Sequence, residues 1–231
     1  MIDKIFQTVK TVLNTDGRGN VSPREFDLIL NNVVLEKFEE NIFERNRLLN
    51  KQNRGLVNND LDNVATKLLE RIQHYLTDGD LTYNSGKFDF PSDLRYLDAI
   101  FYDDEEVELC KNSKEFKLLK NLKETAPDNS YPIGLKNGKA VKILPETIID
   151  NVTVSYLRNP LIAKWTYVVL DGVEIFNPSA NDYQDIDIHP GDEDDVIIRV
   201  LQKFGINLKE KDLQEIMSRE KVGEFNEKNT N

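Results

Sequence analysis

The sequence is poor in the residues that carry most enzyme chemistry: it has one cysteine, Cys110, and two histidines, His74 and His189. A lone cysteine excludes an intramolecular disulfide framework and any cysteine-based zinc site. His74 falls within an amphipathic helical pattern, and no G-x-S-x-G, P-loop or G-x-G-x-x-G segment occurs anywhere in the chain. No apolar run approaches the length of a membrane span. The first residues also lack the basic start, apolar middle and small-residue cleavage site of a signal peptide. Basic charge is in deficit too, with 30 Lys and Arg against 41 Asp and Glu and a net charge of −11. Such a surface repels phosphates at a distance, and its cations are interleaved with acids rather than gathered into a nucleic-acid footprint. These deficits point away from catalysis, membranes and DNA reading, and towards use in a reducing cytoplasm or release only by lysis.

What is present is a core. Hydrophobic residues make up 39% of 231 positions, enough for one main domain with extensions. Ile2, Ile5, Phe6, Val9, Val12 and Leu13 share one helical face, which predicts a short helix over 2–14. Ser22-Pro23-Arg24-Glu25 predicts a second start, with Ser22 as cap, Pro23 in the first turn and Glu25 closing a capping box. The helix that follows carries Phe26, Leu30, Val33, Val34, Phe38 and Ile42 at steps of three and four and runs to about Leu49. A further helix begins near Asp60. After Thr77-Asp78-Gly79 the period changes. Strands are expected over 80–83, 96–102, 106–110, 140–144, 152–157, 165–170, 173–176 and 184–188, with Ser113 capping an inserted helix over 113–122. Pro190 ends the last strand. Asp192 to Asp195 form the acidic first turn of a helix closed by Gly205, and a final helix starts near Lys209. The order predicts an α+β fold: a helical region over 1–78, a mainly antiparallel β domain over 79–190, C-terminal helices over 191–223 and a polar tail over 224–231.

Two segments resemble cation sites. Asn14 to Glu25 aligns on a calcium loop, with Asp16 third, Gly19 sixth and Glu25 twelfth, but Arg18 puts a cation at a ligand position and Asn14 stands in for the first Asp. Asp185, Asp187 and His189 alternate along a predicted strand, a pattern that places carboxylates and an imidazole on one face as divalent metals require. The competing reading is a solvated strand edge before an acidic helix start. Acid pairs are plentiful, so a carboxylate hydrolase also stays open, although no spacing singles out a pair. For contacts between subunits the candidates are Phe38 and Ile42 on the long helix, Tyr156, and the Pro160–Trp165 loop, where a large ring is as apt to meet a neighbour as to enter the core.

Three segments together carry a resemblance. They are Gly19-Asn-Val-Ser22-Pro23-Arg-Glu-Phe26; Val154-Ser-Tyr156-Leu157-Arg158-Asn159-Pro160 with Ala163-Lys164-Trp165 behind it; and Asp185-Ile-Asp187-Ile188-His189-Pro190-Gly-Asp192-Glu193 leading into Val196 to Phe204 and Gly205-Ile206. In this order and spacing, with Phe90-Pro91-Ser-Asp93-Leu-Arg95-Tyr96 between the first two, the chain resembles virion structural proteins of crAss-like and related phages of Bacteroidetes hosts. The departure is an Asn-rich stretch after residue 30, where more alanine is expected. The resemblance implies a ring-forming component of the head–tail connector, stacked below the portal, with no catalytic residues and no cofactor. It implies a homo-oligomeric ring touching the portal protein and neighbouring ring or tail proteins, and DNA passing through the lumen without specific binding. It also implies synthesis in the host bacterial cytoplasm and residence in the neck or tail of the virion.

Overall fold

A computed structural model describes residues 1–15, 21–53, 62–122 and 126–207. The fold is α+β, with five helices among the described residues and sheets that are antiparallel at every strand pair but one. The chain divides into two compact units. One comprises Met1–His74 together with Pro160–Asn231, and the other Tyr75–Asn159. This corrects the expected continuous β domain over 79–190. The β-rich segment after Pro160 belongs with the N-terminal helices, because Trp165, Ile186 and Ile188 are buried among their apolar faces.

In the first unit, α1 (Ile2–Thr15) buries Ile2, Ile5, Phe6, Val9 and Leu13. α2 (Pro23–Asn53) starts at the predicted capping box: the Glu25 backbone N–H donates to Ser22 Oγ at 3.3 Å, and the Ser22 N–H donates to the Glu25 carboxylate at 3.4 Å. Each bond satisfies a donor that the first helical turn leaves open. Ser22→Ala is therefore expected to cost about 1 kcal/mol, read as a lower denaturation midpoint; an unchanged midpoint would place the helix start elsewhere. α2 buries Phe26, Leu30, Val33 and Val34 in the same core as α1 and α5 (Glu193–Asn207), and α3 (Asp62–Gln73) packs beside it. α5 passes through Gly205 instead of ending there. The calcium-like loop centred on Asp16 to Gly19, the helix expected from Lys209 and the tail over 224–231 lie outside the described residues.

The second unit holds two sheets. In the first, β1 (Leu76–Asp80), β9 (Val152–Arg158), β4 (Leu94–Tyr102) and β5 (Glu105–Glu106) lie in that order. In the second the order is β2 (Thr82–Asn84), β3 (Lys87–Asp89), β8 (Ala140–Leu144), β7 (Ile133–Asn137) and β6 (Glu108–Leu109). Val152, Val154 and Tyr156, the apolar half of the alternating pattern in β9, point into a core with Phe88, Ile100, Val141 and Ile143. Two glycines hid strands from the sequence pattern. Gly79, just ahead of the first expected strand at 80–83, lies within β1 opposite Val154. Gly134 lies within β7, where an added Cβ would come within 3.0 Å of Leu109 and 3.1 Å of Val107, so a side chain there would have to push these neighbours aside. α4 (Ser113–Asn121) is capped by Asn112, not Ser113: the Asn112 carboxamide oxygen accepts from the Lys114 and Glu115 N–H groups, each at 3.0 Å.

Candidate assembly surface

The residues expected at subunit contacts are mostly interior. Phe38, Tyr156 and Trp165 are buried, and Ile42 and Pro160 are half-buried. Trp165 is the clearest correction. Its ring stacks on Phe6 with centroids 4.0 Å apart and lies 5.7 Å from Tyr167 and 5.8 Å from Phe176. Its indole N–H donates to Asp3 at 3.0 Å, which provides the partner that a buried indole needs. Tyr156 belongs to the core of the second unit, with its hydroxyl donating to Asp93 at 3.1 Å.

The Trp165 segment is held by polar groups of α2. Asn31 bonds Ala163 in both directions, accepting from its N–H at 2.7 Å and donating to its carbonyl at 2.8 Å. One turn earlier, Asp27 accepts the Trp165 N–H at 2.9 Å. Burial pushes the Asp27 carboxyl pKa up, against the lowering effect of that hydrogen bond and of the Lys164 charge. Asp27 and Asn31 thus act as an artificial strand edge for a chain segment that has no strand beside it. Asn31 also gives the Asn-rich start of the helix a use, since alanine at that position would leave Ala163 without these bonds.

From this anchored base rises a hairpin, β10 (Tyr167–Leu170) and β11 (Val173–Phe176). Its turn places Asp171 at φ 52° and Gly172 at φ 82°, the left-handed pair that a two-residue hairpin demands. Thr166 and Asn177 close its base, with the Asn177 N–H donating to the Thr166 carbonyl at 2.8 Å. Beyond the base the hairpin is bare. Tyr167, Val168, Leu170 and Ile175 are exposed, and Val169 and Val173 are 61% and 58% accessible. Among the described residues no third strand joins β10 or β11. Two strands with apolar side chains on both faces are marginal in water alone, and such a patch on a folded protein marks a contact surface. The sequence pattern placed both strands but did not single out their valines as a contact surface. The signal available was three consecutive apolar residues, Val168-Val169-Leu170, beside an Asp-Gly turn, with no alternation to give them a wet face. A second apolar line, Leu28, Leu35 and Phe43, lies exposed along α2 at steps of seven and eight residues.

The acidic segment 185–195 has a different use from the one its pattern suggested. It is not a strand: Gln184 makes a single bridge with Lys164, and Pro190–Asp192 form a 3-10 turn. Asp185 accepts the Ile2 and Ile186 N–H groups at 2.7 and 2.8 Å. Asp187 meets His74 Nε2 at 3.0 Å and accepts the Leu161 N–H at 2.9 Å. His189 Nδ1 accepts the Gly191 N–H at 3.1 Å. Asp192, almost fully buried, pairs with Arg71 at 3.0 Å and accepts the Asn41 amide at 3.2 Å. Asp195 pairs with Lys37 at 2.8 Å and Arg199 at 3.1 Å. Each group is turned to a different partner in its own unit. Among the described residues no three His, Cys, Asp or Glu side chains converge as metal ligands do.

Burial works to raise the Asp195 carboxyl pKa, but the Lys37 hydrogen bond and the Lys37 and Arg199 charges together hold it below its ordinary 3.8. A carboxyl so depressed stabilises the fold fully above that value and loses its contribution as pH falls below it. Asp195→Asn is expected to melt lower than the parent at pH 7, with the gap closing as the pH falls below about 3.8. A gap that stays constant through acid would show that the charge of Asp195 is not what matters.

No helix among the described residues is long and apolar enough to cross a membrane. No protein-family model matches the chain, and no curated protein matches it either.

Proposed function

We propose that the chain is a structural component of a bacteriophage head–tail connector, a ring-forming neck or tail adaptor below the portal, without enzymatic activity. The observation that carries this reading is the β10–β11 hairpin, a bare apolar arm on a clamped base. A ring subunit needs a rigid body and an element that reaches its neighbour, because a heterologous contact repeated by rotation closes a ring. The three resembling segments lead to the same class of protein, and two of them, Ala163-Lys164-Trp165 and Asp185 to Glu193, contribute Trp165, Ile186 and Ile188 to the core of the unit that carries this arm. The exposed line of Leu28, Leu35 and Phe43 offers a further surface to portal or tail neighbours. The net charge of −11 suits a lumen through which DNA slides without adhering. On this reading the protein is made in the host cytoplasm and resides in the virion. Electron microscopy of the particle that contains it is the test. A ring of copies at the head–tail junction is expected; copies found elsewhere, or as isolated monomers, overturn the reading.

A further inference from the structure

We propose that the tip of the β10–β11 hairpin of one copy seats in a groove on the second unit of the next copy, between the start of β4 and the β7–β8 turn. This rests on the ring reading, and it names the two surfaces that meet. The groove is about 520 Å³ and is lined by apolar Phe90, Pro91 and Leu94 and by basic Arg95, Lys136 and Lys139, with Asp89 its one acid. That volume lies within the ~300–1,000 Å³ typical of clefts that enclose a compact apolar group. Lys136 holds its ammonium 5.8 Å from the centre of the Phe90 ring, so cation and apolar surface lie side by side.

The hairpin tip has the complementary composition. Leu170 and Val173 are exposed and apolar, and Asp171 and Glu174 are interleaved with them. The bias extends well beyond the tip, because residues 165–198 contain no Lys or Arg, whereas 129–145 contain Lys136, Lys139 and Lys142 and no acid. The same bias argues against two hairpins pairing with each other, since that would set Asp171 and Glu174 against their own copies. Hairpin and groove also lie in different units, so they are two separate patches of the chain. Two distinct patches that fit each other are the minimum for a head-to-tail contact.

Charge exchange in the full chain tests the contact. The hairpin variant is Asp171→Asn with Glu174→Lys, asparagine being chosen because it tolerates the positive φ of residue 171. The groove variant is Lys136→Glu with Lys139→Glu. Association is read by light scattering and sedimentation across concentration, with circular dichroism confirming that each variant folds. Each variant alone is expected to self-associate at least about tenfold more weakly than the parent. An equal mixture of the two should recover parental association, because the reversed hairpin of one fits the reversed groove of the other and the unchanged halves also match. Self-association retained by either variant, or no recovery in the mixture, overturns the contact and leaves the ring reading standing. A parent chain that stays monomeric at every concentration overturns the contact as well, and the ring reading is then decided by imaging of the particle.

Discussion

Trp165→Ser is expected to cost roughly 3–5 kcal/mol, the range for deleting a large aromatic from a packed core. That is a large share of the total of about 5–15 kcal/mol that holds a typical domain folded. Three losses coincide. The stack on Phe6 at 4.0 Å disappears, together with the flanking contacts to Tyr167 and Phe176. The Asp3 carboxylate loses the indole N–H at 3.0 Å, and a serine hydroxyl is too short to replace it. The cavity opens where α1, α2 and the hairpin base meet, between elements too constrained to collapse into it. Urea denaturation followed by circular dichroism measures the effect. Ile162→Ser provides the contrast three residues away, since Ile162 is 79% exposed and its replacement should leave the midpoint in place. If the two variants denature alike, the indole is not the centre of this core. If Trp165→Ser denatures early as expected, any loss of assembly in it is a consequence of unfolding and says nothing about a subunit contact.

That result bears on how much the sequence discloses. Features governed by neighbours within a few residues were legible. The capping box at Ser22 and Glu25, the alternation in β9, the bounds of β8 and the Asp171-Gly172 hairpin all follow from local chemistry. Features governed by a distant partner were not. The strands that hold Gly79 and Gly134 went unread, because a glycine seen without its neighbours carries no strand signal. The crowding by Val107 and Leu109 that favours glycine at Gly134 depends on a strand more than twenty positions away. The division of the β-rich segment at Pro160 depends on Asp27 and Asn31, two polar residues that a hydrophobic pattern passes over. Burial failed in both directions for the same reason. Trp165 was as apt to meet a neighbour as to enter the core and is covered by Phe6, while Val169 and Val173, which drew no notice as contacts, are exposed.

The acidic segment extends this to electrostatics. Four acids in a row, Asp192 to Asp195, resemble a solvated helix start. In the structure the first of them is the most buried charge among the described residues of its unit, with only 3% of its surface accessible. Its carboxylate meets Arg71 of α3 at 3.0 Å and Lys37 of α2 at 3.8 Å, and accepts the Asn41 amide at 3.2 Å. α2 and α3 are therefore tied to one side chain in the turn that leads into α5. Lys37 is shared with Asp195 at 2.8 Å, and Arg199 reaches from Asp195 to Glu40.

Asp192→Ala is expected to cost about 3 kcal/mol, at the low end for removing one member of a buried ion pair, because Arg71 keeps 29% of its side chain in solvent. Most of that cost is the penalty of leaving Arg71 and Lys37 facing each other without the carboxylate between them. The sign of a double substitution follows from this. Arg71→Met added to Asp192→Ala should recover part of the loss, since it removes a stranded cation and supplies apolar volume. Salt separates this network from surface pairing. The loss in Asp192→Ala should persist at 1 M salt, where the Debye length is roughly 3 Å, while any effect of breaking the exposed Lys203–Glu36 pair should vanish. Denaturation midpoints of the single and double variants, at low and high salt, are the measurement. A double variant less stable than Asp192→Ala alone would mean that Arg71 contributes by its own packing, and that the carboxylate is not the centre of the tie.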